Sequence, residues 1–317
     1  MTSRARQRGI AMMTAVMLVA LATVLAVSIK FKDVMASRRA GAIFSVEQDV
    51  MFAAGAEAVA AYALREDLAN NKIDHDAEPW HKHYGPVEIS DAASEGAPQG
   101  ALEAQLEDES GKFNLNSLID STGAIDKVAV QQLEFLLQEL GLQTHWAEKM
   151  ADWIDEDNAT GTEDGVYSAQ SPSYLTANLP VTSISELLQL PEFGRDNYDL
   201  LAPFVAALPT GTLLNICTAN EKVLNAFISG VQNSPYKQSW PKISATGGKC
   251  FPTSQDLANV LSDPKFAPEL TRRIAQSSDY FRLETLVSIG TTQFALYSLM
   301  YRTSQGVRPV LRTYGTD

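Results

Sequence analysis

Residues Ile10 to Ile29, IAMMTAVMLVALATVLAVSI, run without a single charge. A helix of that length crosses the ~30 Å hydrocarbon core of a bilayer at about 1.5 Å per residue. Arg4, Arg6 and Arg8 precede the run, and Lys30, Lys32 and Asp33 follow it. The short basic segment therefore belongs on the cytoplasmic side, and the body of the chain on the other. Three readings compete for such a segment: a plain anchor, a cleaved secretory signal, and a leader cut before the apolar run. A secretory signal has a shorter apolar region ending in a small-residue site, whereas this run passes straight into Lys30-Phe31-Lys32.

Beyond the membrane the helical pattern continues. No proline occurs before Pro79, and Val46, Val50, Ala53, Ala60, Leu64 and Leu68 recur at helical spacing, with Gln48, Asp49, Glu57, Arg65 and Glu66 assigned to other faces. A continuous helix from Ile10 to Asn70 would measure roughly 90 Å. Gly41 and Gly55 are the points that would loosen it into a membrane helix and a separate amphipathic one.

The remaining chain reads as α+β. Residues 74–100 are loops around a short strand at Val87–Ile89, and Leu102, Ala104 and Leu106 alternate with Glu103, Gln105 and Glu107 as a half-buried strand does. The period turns helical at Lys127, where Leu133, Leu136, Leu137 and Leu140 precede Gly141, and Trp146, Met150 and Ile154 follow. Ser183 and Glu186 form a capping box ahead of Leu187, Leu188 and Leu190, and Thr218 and Glu221 repeat it ahead of Val223, Leu224, Phe227 and Ile228. Strand patterning returns in Phe281, Leu283, Val287 and Ile289, in Phe294–Tyr301 and in Val307–Tyr314. The expected organisation is a spine helix over 30–72, a first sheet part over 73–120, a helical block inserted over 121–276, and closing strands over 277–317.

Composition and motifs narrow the function. A formal net charge of −13 opposes docking on a phosphate backbone, and the capped helices lack the glycine-rich hairpin with basic flanks that grips DNA. No G-x-S-x-G or H-E-x-x-H occurs, and Gly247-Gly248-Lys249-Cys250 lacks the P-loop spacing, so no enzyme is expected. His75, His81 and His83 lie on a polar loop without nearby cysteine and read as solvated. Asp152, Asp155, Asp157, Glu163 and Asp164, interleaved with Asn158, Gly161 and Gly165, form either a hard-cation site or a solvated acidic turn, without EF-hand spacing. The two cysteines, Cys217 and Cys250, are either bridged or two buried thiols; outside the cytoplasm the bridge is favoured.

Four local patterns carry a family likeness: Arg8-Gly9-Ile10 at the head of the apolar run, Gly111-Lys112-Phe113-Asn114-Leu115-Asn116-Ser117-Leu118, Asp152-Trp153-Ile154-Asp155, and Leu214-Asn215-Ile216-Cys217-Thr218-Ala219. Over essentially its whole length the chain resembles the K-type minor pseudopilins of bacterial type II secretion systems, departing at Cys217, where a polar residue is more usual. The resemblance implies a leader of residues 1–9 cut between Gly9 and Ile10 by prepilin peptidase, a methylated mature terminus, and a single-pass inner-membrane protein with a periplasmic body. Its fifth mature residue would be Thr14, where sister subunits carry a membrane-buried Glu that needs a partner. The resemblance further implies a long N-terminal helix packed on a pilin-like antiparallel sheet with a large inserted all-α domain. It implies calcium at Asp152, Asp155, Asp157, Glu163 and Asp164. It implies a place at the pseudopilus tip, nucleating assembly with I-, J- and H-type minor pseudopilins on the inner-membrane platform and supporting export of folded proteins across the outer membrane. The competing expectation is an envelope-anchored, pilus-associated receptor for DNA or substrate.

Overall fold

The structure, a computed structural model, describes residues 4–90, 100–156, 163–232, 250, 252–260, 267–289 and 292–315. Its first element, α1, runs unbroken from Arg4 to Asn70, 67 residues or about 100 Å. Gly41 and Gly55 lie inside this continuous helix without breaking it, and a β-carbon at either would meet open space. The apolar run is exposed along its length, with Met13, Met17 and Val19 all outward.

The C-terminal part of α1 lies on one face of a five-stranded sheet ordered β1 (Tyr84–Ile89), β2 (Gly100–Asp108), β7 (Tyr280–Ile289), β8 (Thr292–Thr303), β9 (Gly306–Tyr314), every pair antiparallel. Ala60 and Leu64 pack with Trp80, Leu106, Phe281, Leu283 and Met300, and Ala53 packs with Val287 and Leu296. Strand alternation explains the set, since Phe281, Leu283 and Val287 all face the helix at period two.

The buried stripe of α1 departs from the pattern the sequence suggests. Asp49 and Glu57 lie on it, 1% and 4% exposed, in register with Ala53 and Ala60, while Val46 and Val50 are exposed. Glu57 is tolerated there because Arg312 of β9 donates to both its oxygens, Nε to Oε1 at 2.8 Å and Nη2 to Oε2 at 2.6 Å, and the Ser298 hydroxyl donates to Oε1. Burial opposes the charged carboxylate, yet these hydrogen bonds outweigh it and hold Glu57 below the usual carboxylate range. The pair clamps the edge strand of the sheet to the spine.

Between β2 and β7 the chain builds a second body with its own core, from Leu115 and Leu133 through Met150 and Phe193 to Ile228. It contains β3 (Phe113–Asn114), α2 (Lys127–Glu139), α3 (Trp146–Ile154), α4 (Glu163–Ser168), α5 (Gly194–Leu201), β4 (Val205–Ala206), β5 (Leu214–Asn215), α6 (Glu221–Gln232), α7 (Ser254–Val260), α8 (Ala267–Thr271) and β6 (Ile274–Ala275). Helices dominate, and two short parallel ladders, β3 with β4 and β5 with β6, tie the body together where it meets the sheet. α2 and α6 cross closely because Gly230 rests on Gln132, where a β-carbon would come within 2.3 Å of Gln132 Cγ. Gln132 Nε2 then donates to the Phe227 carbonyl at 3.0 Å.

The Ser183–Glu186 capping box forms as expected, although the helix it opens, Ile184–Gln189, is a 3-10 helix. The second box does not form. Thr218 turns its hydroxyl to Asp108, and α6 is opened instead by Asn220, whose Oδ1 accepts from the Lys222 N–H at 3.0 Å.

Candidate functional site

Three features compete for function: the exposed helix, the acidic segment after α3, and a buried polar joint between the two bodies.

At the amino end, Gly9 and Ile10 lie within α1, and Ile10 is exposed. Thr14 Oγ1 donates to the carbonyls of Ala11 at 3.0 Å and Ile10 at 3.2 Å. Its hydroxyl is thus satisfied inside its own helix. A carboxylate at this depth of a membrane would need a partner from outside; this threonine needs none. Farther along, the side of α1 away from the sheet presents Met51, Val59 and Tyr62, a row of apolar side chains beyond the membrane run.

In the acidic segment, Asp155 is buried as the residue closing α3, Asp152 is half-buried one turn earlier, and Glu163 and Asp164 open α4. Asp157 lies outside the described residues. Glu156 lies over Gly123, whose φ of +82° is a backbone conformation that favours glycine. The residue types in this segment offer oxygen donors, the kind a hard cation takes; among the described residues the carboxylates whose oxygens come together are instead Asp67, Asp74 and Glu78.

The joint is the most densely bonded site and was not anticipated. Asp108, at the end of β2, accepts at Oδ2 from Asn215 Nδ2 at 3.0 Å, Thr218 Oγ1 at 2.5 Å and Ser278 Oγ at 2.5 Å, and at Oδ1 from the Ser110 N–H at 2.8 Å. Burial raises its pKa to about 6 in spite of these donors. Asn215 also donates to the Asp74 carbonyl at 3.1 Å and accepts from the Cys217 N–H at 2.9 Å. Gly111 meets Thr218 so closely that a β-carbon would stand 2.5 Å from its hydroxyl. The motif residues Gly111, Asn215 and Thr218 are therefore the stitching between the inserted body and the sheet. Asn114 and Asn116 do the same job within that body: Asn116 Nδ2 donates to the carbonyls of Val181 and Leu208, and the Leu208 N–H donates to Asn114 Oδ1.

Arg302 completes the joint from β8. It is 2% exposed, donates Nη1 to Asp67 Oδ2 at 3.0 Å, Nη2 to Asp74 Oδ2, and Nη2 to the Ser278 carbonyl at 2.7 Å, and lies 4.6 Å from the centre of the Phe281 ring. Glu78 stands beside these carboxylates, accepting from Asn71 Nδ2, the His75 N–H and Trp80 Nε1. The available sequence signal was a charge at an inward position of a strand, in step with Ser298 and Met300. Next to the joint, Cys217 and Cys250 form a disulfide, both nearly inaccessible.

Comparison with known proteins places these features in a family context. A family model described as "Type II secretion system (T2SS), protein K" matches residues 111–210. The type II secretion system protein K of Pectobacterium carotovorum is 30% identical, the alignment covering 98% of each chain. That of Pseudomonas aeruginosa is 29% identical over 98% of this chain and 94% of its own. Among solved structures, the GspK–GspI–GspJ complex from the enterotoxigenic Escherichia coli type 2 secretion system holds a chain that superposes with a TM-score of 0.69 at 27% identity, covering 88% of this chain and 100% of that one.

Proposed function

Because this chain belongs to the protein K family of type II secretion systems and is a minor pseudopilin, we propose that it sits at the tip of the periplasmic pseudopilus, nucleates its assembly and so supports export of folded proteins. The observation that carries this reading is α1: one unbroken helix joins an exposed apolar run to a segment packed on the sheet. Such a helix serves as anchor and as filament spine at once. A subunit whose fifth mature residue is Thr14 makes no charge pair with a neighbouring terminal amine, so it belongs where the usual stacking contact ends. The inserted body, attached at one end of the sheet, has room only where no further subunit is added.

The partners on this reading are other minor pseudopilins of the I, J and H types, engaged along the outward face of α1. Prepilin peptidase would cut between Gly9 and Ile10, and the mature protein would be a single-pass inner-membrane protein with its body in the periplasm. Amino-terminal sequencing of the membrane-extracted chain should begin at methylated Ile10; an intact Met1 would leave a plain anchor in its place. Co-purification with I- and J-type subunits is expected, and a full chain that instead retained DNA or an exported protein without them would favour a receptor.

Calcium belongs to the same reading, held by Asp152, Asp155, Asp157, Glu163 and Asp164. The cation would neutralise the run of carboxylates that the sequence places from the end of α3 to the start of α4. Titration calorimetry of the full chain in detergent should show calcium binding, and at 100-fold excess over Kd the fold should gain about 2.7 kcal/mol. Absence of both heat and thermal stabilisation would remove calcium from the account.

A further inference from the structure

Past the apolar run, α1 continues as a bare neck before it meets the body. Residues 30–44 are exposed on every side, and the first buried residue of the helix is Asp49. Lys30 to Gln48 therefore spans about 28 Å. The charge of this neck is the reverse of the body's. It carries Lys30, Lys32, Arg38 and Arg39, and Asp33 is the single acidic residue ahead of Glu47 in a chain that holds 38 of them and has a net charge of −13. None of the four basic side chains forms an ion pair among the described residues.

Their height along the helix selects what meets them. The polar layer on each side of a bilayer is ~5–7 Å deep, and Lys30 and Lys32 start about 1.5 and 4.5 Å beyond Ile29, inside it. Arg38 and Arg39 start about 14 and 15 Å beyond Ile29. Side chains on a helix lean toward its amino end, which here is the membrane, so both guanidinium groups come within a Debye length (~8 Å) of the headgroups. Phe31, 63% exposed between the two lysines, is an aromatic at the level where aromatic belts form. The angular spread decides between occupants. At about 100° per residue, Lys30 and Lys32 lie roughly 160° apart, Arg39 falls near Lys32, and Arg38 stands about 80° from Lys30. A neighbouring helix covers one face, whereas headgroups surround them all.

We infer that Lys30, Lys32, Arg38 and Arg39 form a collar that binds anionic phospholipid headgroups on the side of the membrane where the body lies, and so fixes the depth at which the helix stands. The inference rests on residues 10–29 spanning a bilayer. Cleavage after Gly9 would remove Arg4, Arg6 and Arg8 and leave the collar as the basic part of α1 nearest the membrane. The collar holds the foot of the helix on a surface that repels the acidic body, and the neck raises Asp49 about 20 Å clear of the headgroups, beyond two Debye lengths.

Electron paramagnetic resonance of the full chain in phosphatidylcholine vesicles, with a trace of spin-labelled phosphatidylglycerol or spin-labelled phosphatidylcholine, tests the premise and the collar separately. Both labels should show a component immobilised by the apolar run; without it the helix does not span the bilayer and the premise fails. Phosphatidylglycerol should be preferred over phosphatidylcholine at least about fivefold, the effect of one Lys or Arg near the surface, and the preference should shrink as salt rises from about 0.05 M to about 0.5 M. A variant carrying Lys30→Gln, Lys32→Gln, Arg38→Gln and Arg39→Gln should keep the immobilised component and lose about fivefold or more of the preference. Whatever the leader's arginines add is common to both proteins. Immobilised lipid without a preference in the wild type, or a preference equal in the variant, overturns the collar and leaves the membrane span standing. An equal preference together with lost co-purification of I- and J-type subunits would assign the neck to a protein contact instead.

Discussion

Replacing Arg302 by leucine is expected to lower the stability of the folded body by about 3–5 kcal/mol, the range seen when one partner of a buried ion pair is removed and its counter-charge stays behind. The magnitude follows from what remains. Asp74 and Glu78 are buried and Asp67 nearly so; without the guanidinium the cation that Asp67 and Asp74 share is gone, and Asp74 keeps only the Ser278 N–H. The Ser278 carbonyl also loses its donor. Part of the loss will be relieved by proton uptake, so the deficit should be largest above pH 7 and smaller near pH 5. Arg302→Lys separates charge from shape: it keeps the cation but cannot reach Asp67, Asp74 and Ser278 together as the planar fork does, and should fall between wild type and Arg302→Leu. Urea unfolding of the full chain in detergent, followed by circular dichroism, gives the difference. A leucine variant within 1 kcal/mol of wild type at pH 8 would mean that the carboxylates are held by water and neighbours, not by Arg302.

The features that were legible in the sequence are those whose cause is local. The uncharged run of residues 10–29, the alternation of Phe281, Leu283 and Val287, and the Ser183–Glu186 box each fix structure through neighbours a few residues away. The family motifs were visible too, but not their work, because Asn215 and Thr218 find their acceptor, Asp108, more than a hundred positions upstream. The same long range misplaced Thr218 as a helix cap. Hydrophobic periodicity put Asp49 and Glu57 on an outer face because it scores polarity; the Arg312 that makes Glu57 acceptable inside lies 255 residues on. Arg302 falls just past the strand run read at Phe294–Tyr301 and drew no notice for that reason, its acidic partners lying 228 and 235 residues earlier. Charges buried in pairs are invisible to a pattern that looks at one segment at a time.

Opening the Cys217–Cys250 disulfide should cost about 4 kcal/mol. The two cysteines are 33 residues apart, and in the chain-entropy model a closed loop of that size restricts the unfolded chain by this amount. The location adds a structural reason to expect most of it. Cys217 follows β5 and donates its N–H to Asn215, the residue that stitches the inserted body to Asp74 and Asp108. The bridge therefore secures the stitched segment directly. Two perturbations separate the entropic contribution from packing: reduction of the wild type keeps both sulfurs in place, whereas Cys217→Ala with Cys250→Ala removes them from buried positions. Reduced wild type should unfold at markedly lower urea than oxidised, and the double alanine variant slightly lower still, from the small cavities left behind. If reduction left the midpoint unchanged while the double variant lost stability, the cysteines would matter only as buried side chains. Arg302 and the disulfide act on the same joint by different means, one on the folded state and one on the unfolded chain. Their losses should accordingly add in the combined variant, and a sum falling well short would show that the joint is already open once either is gone.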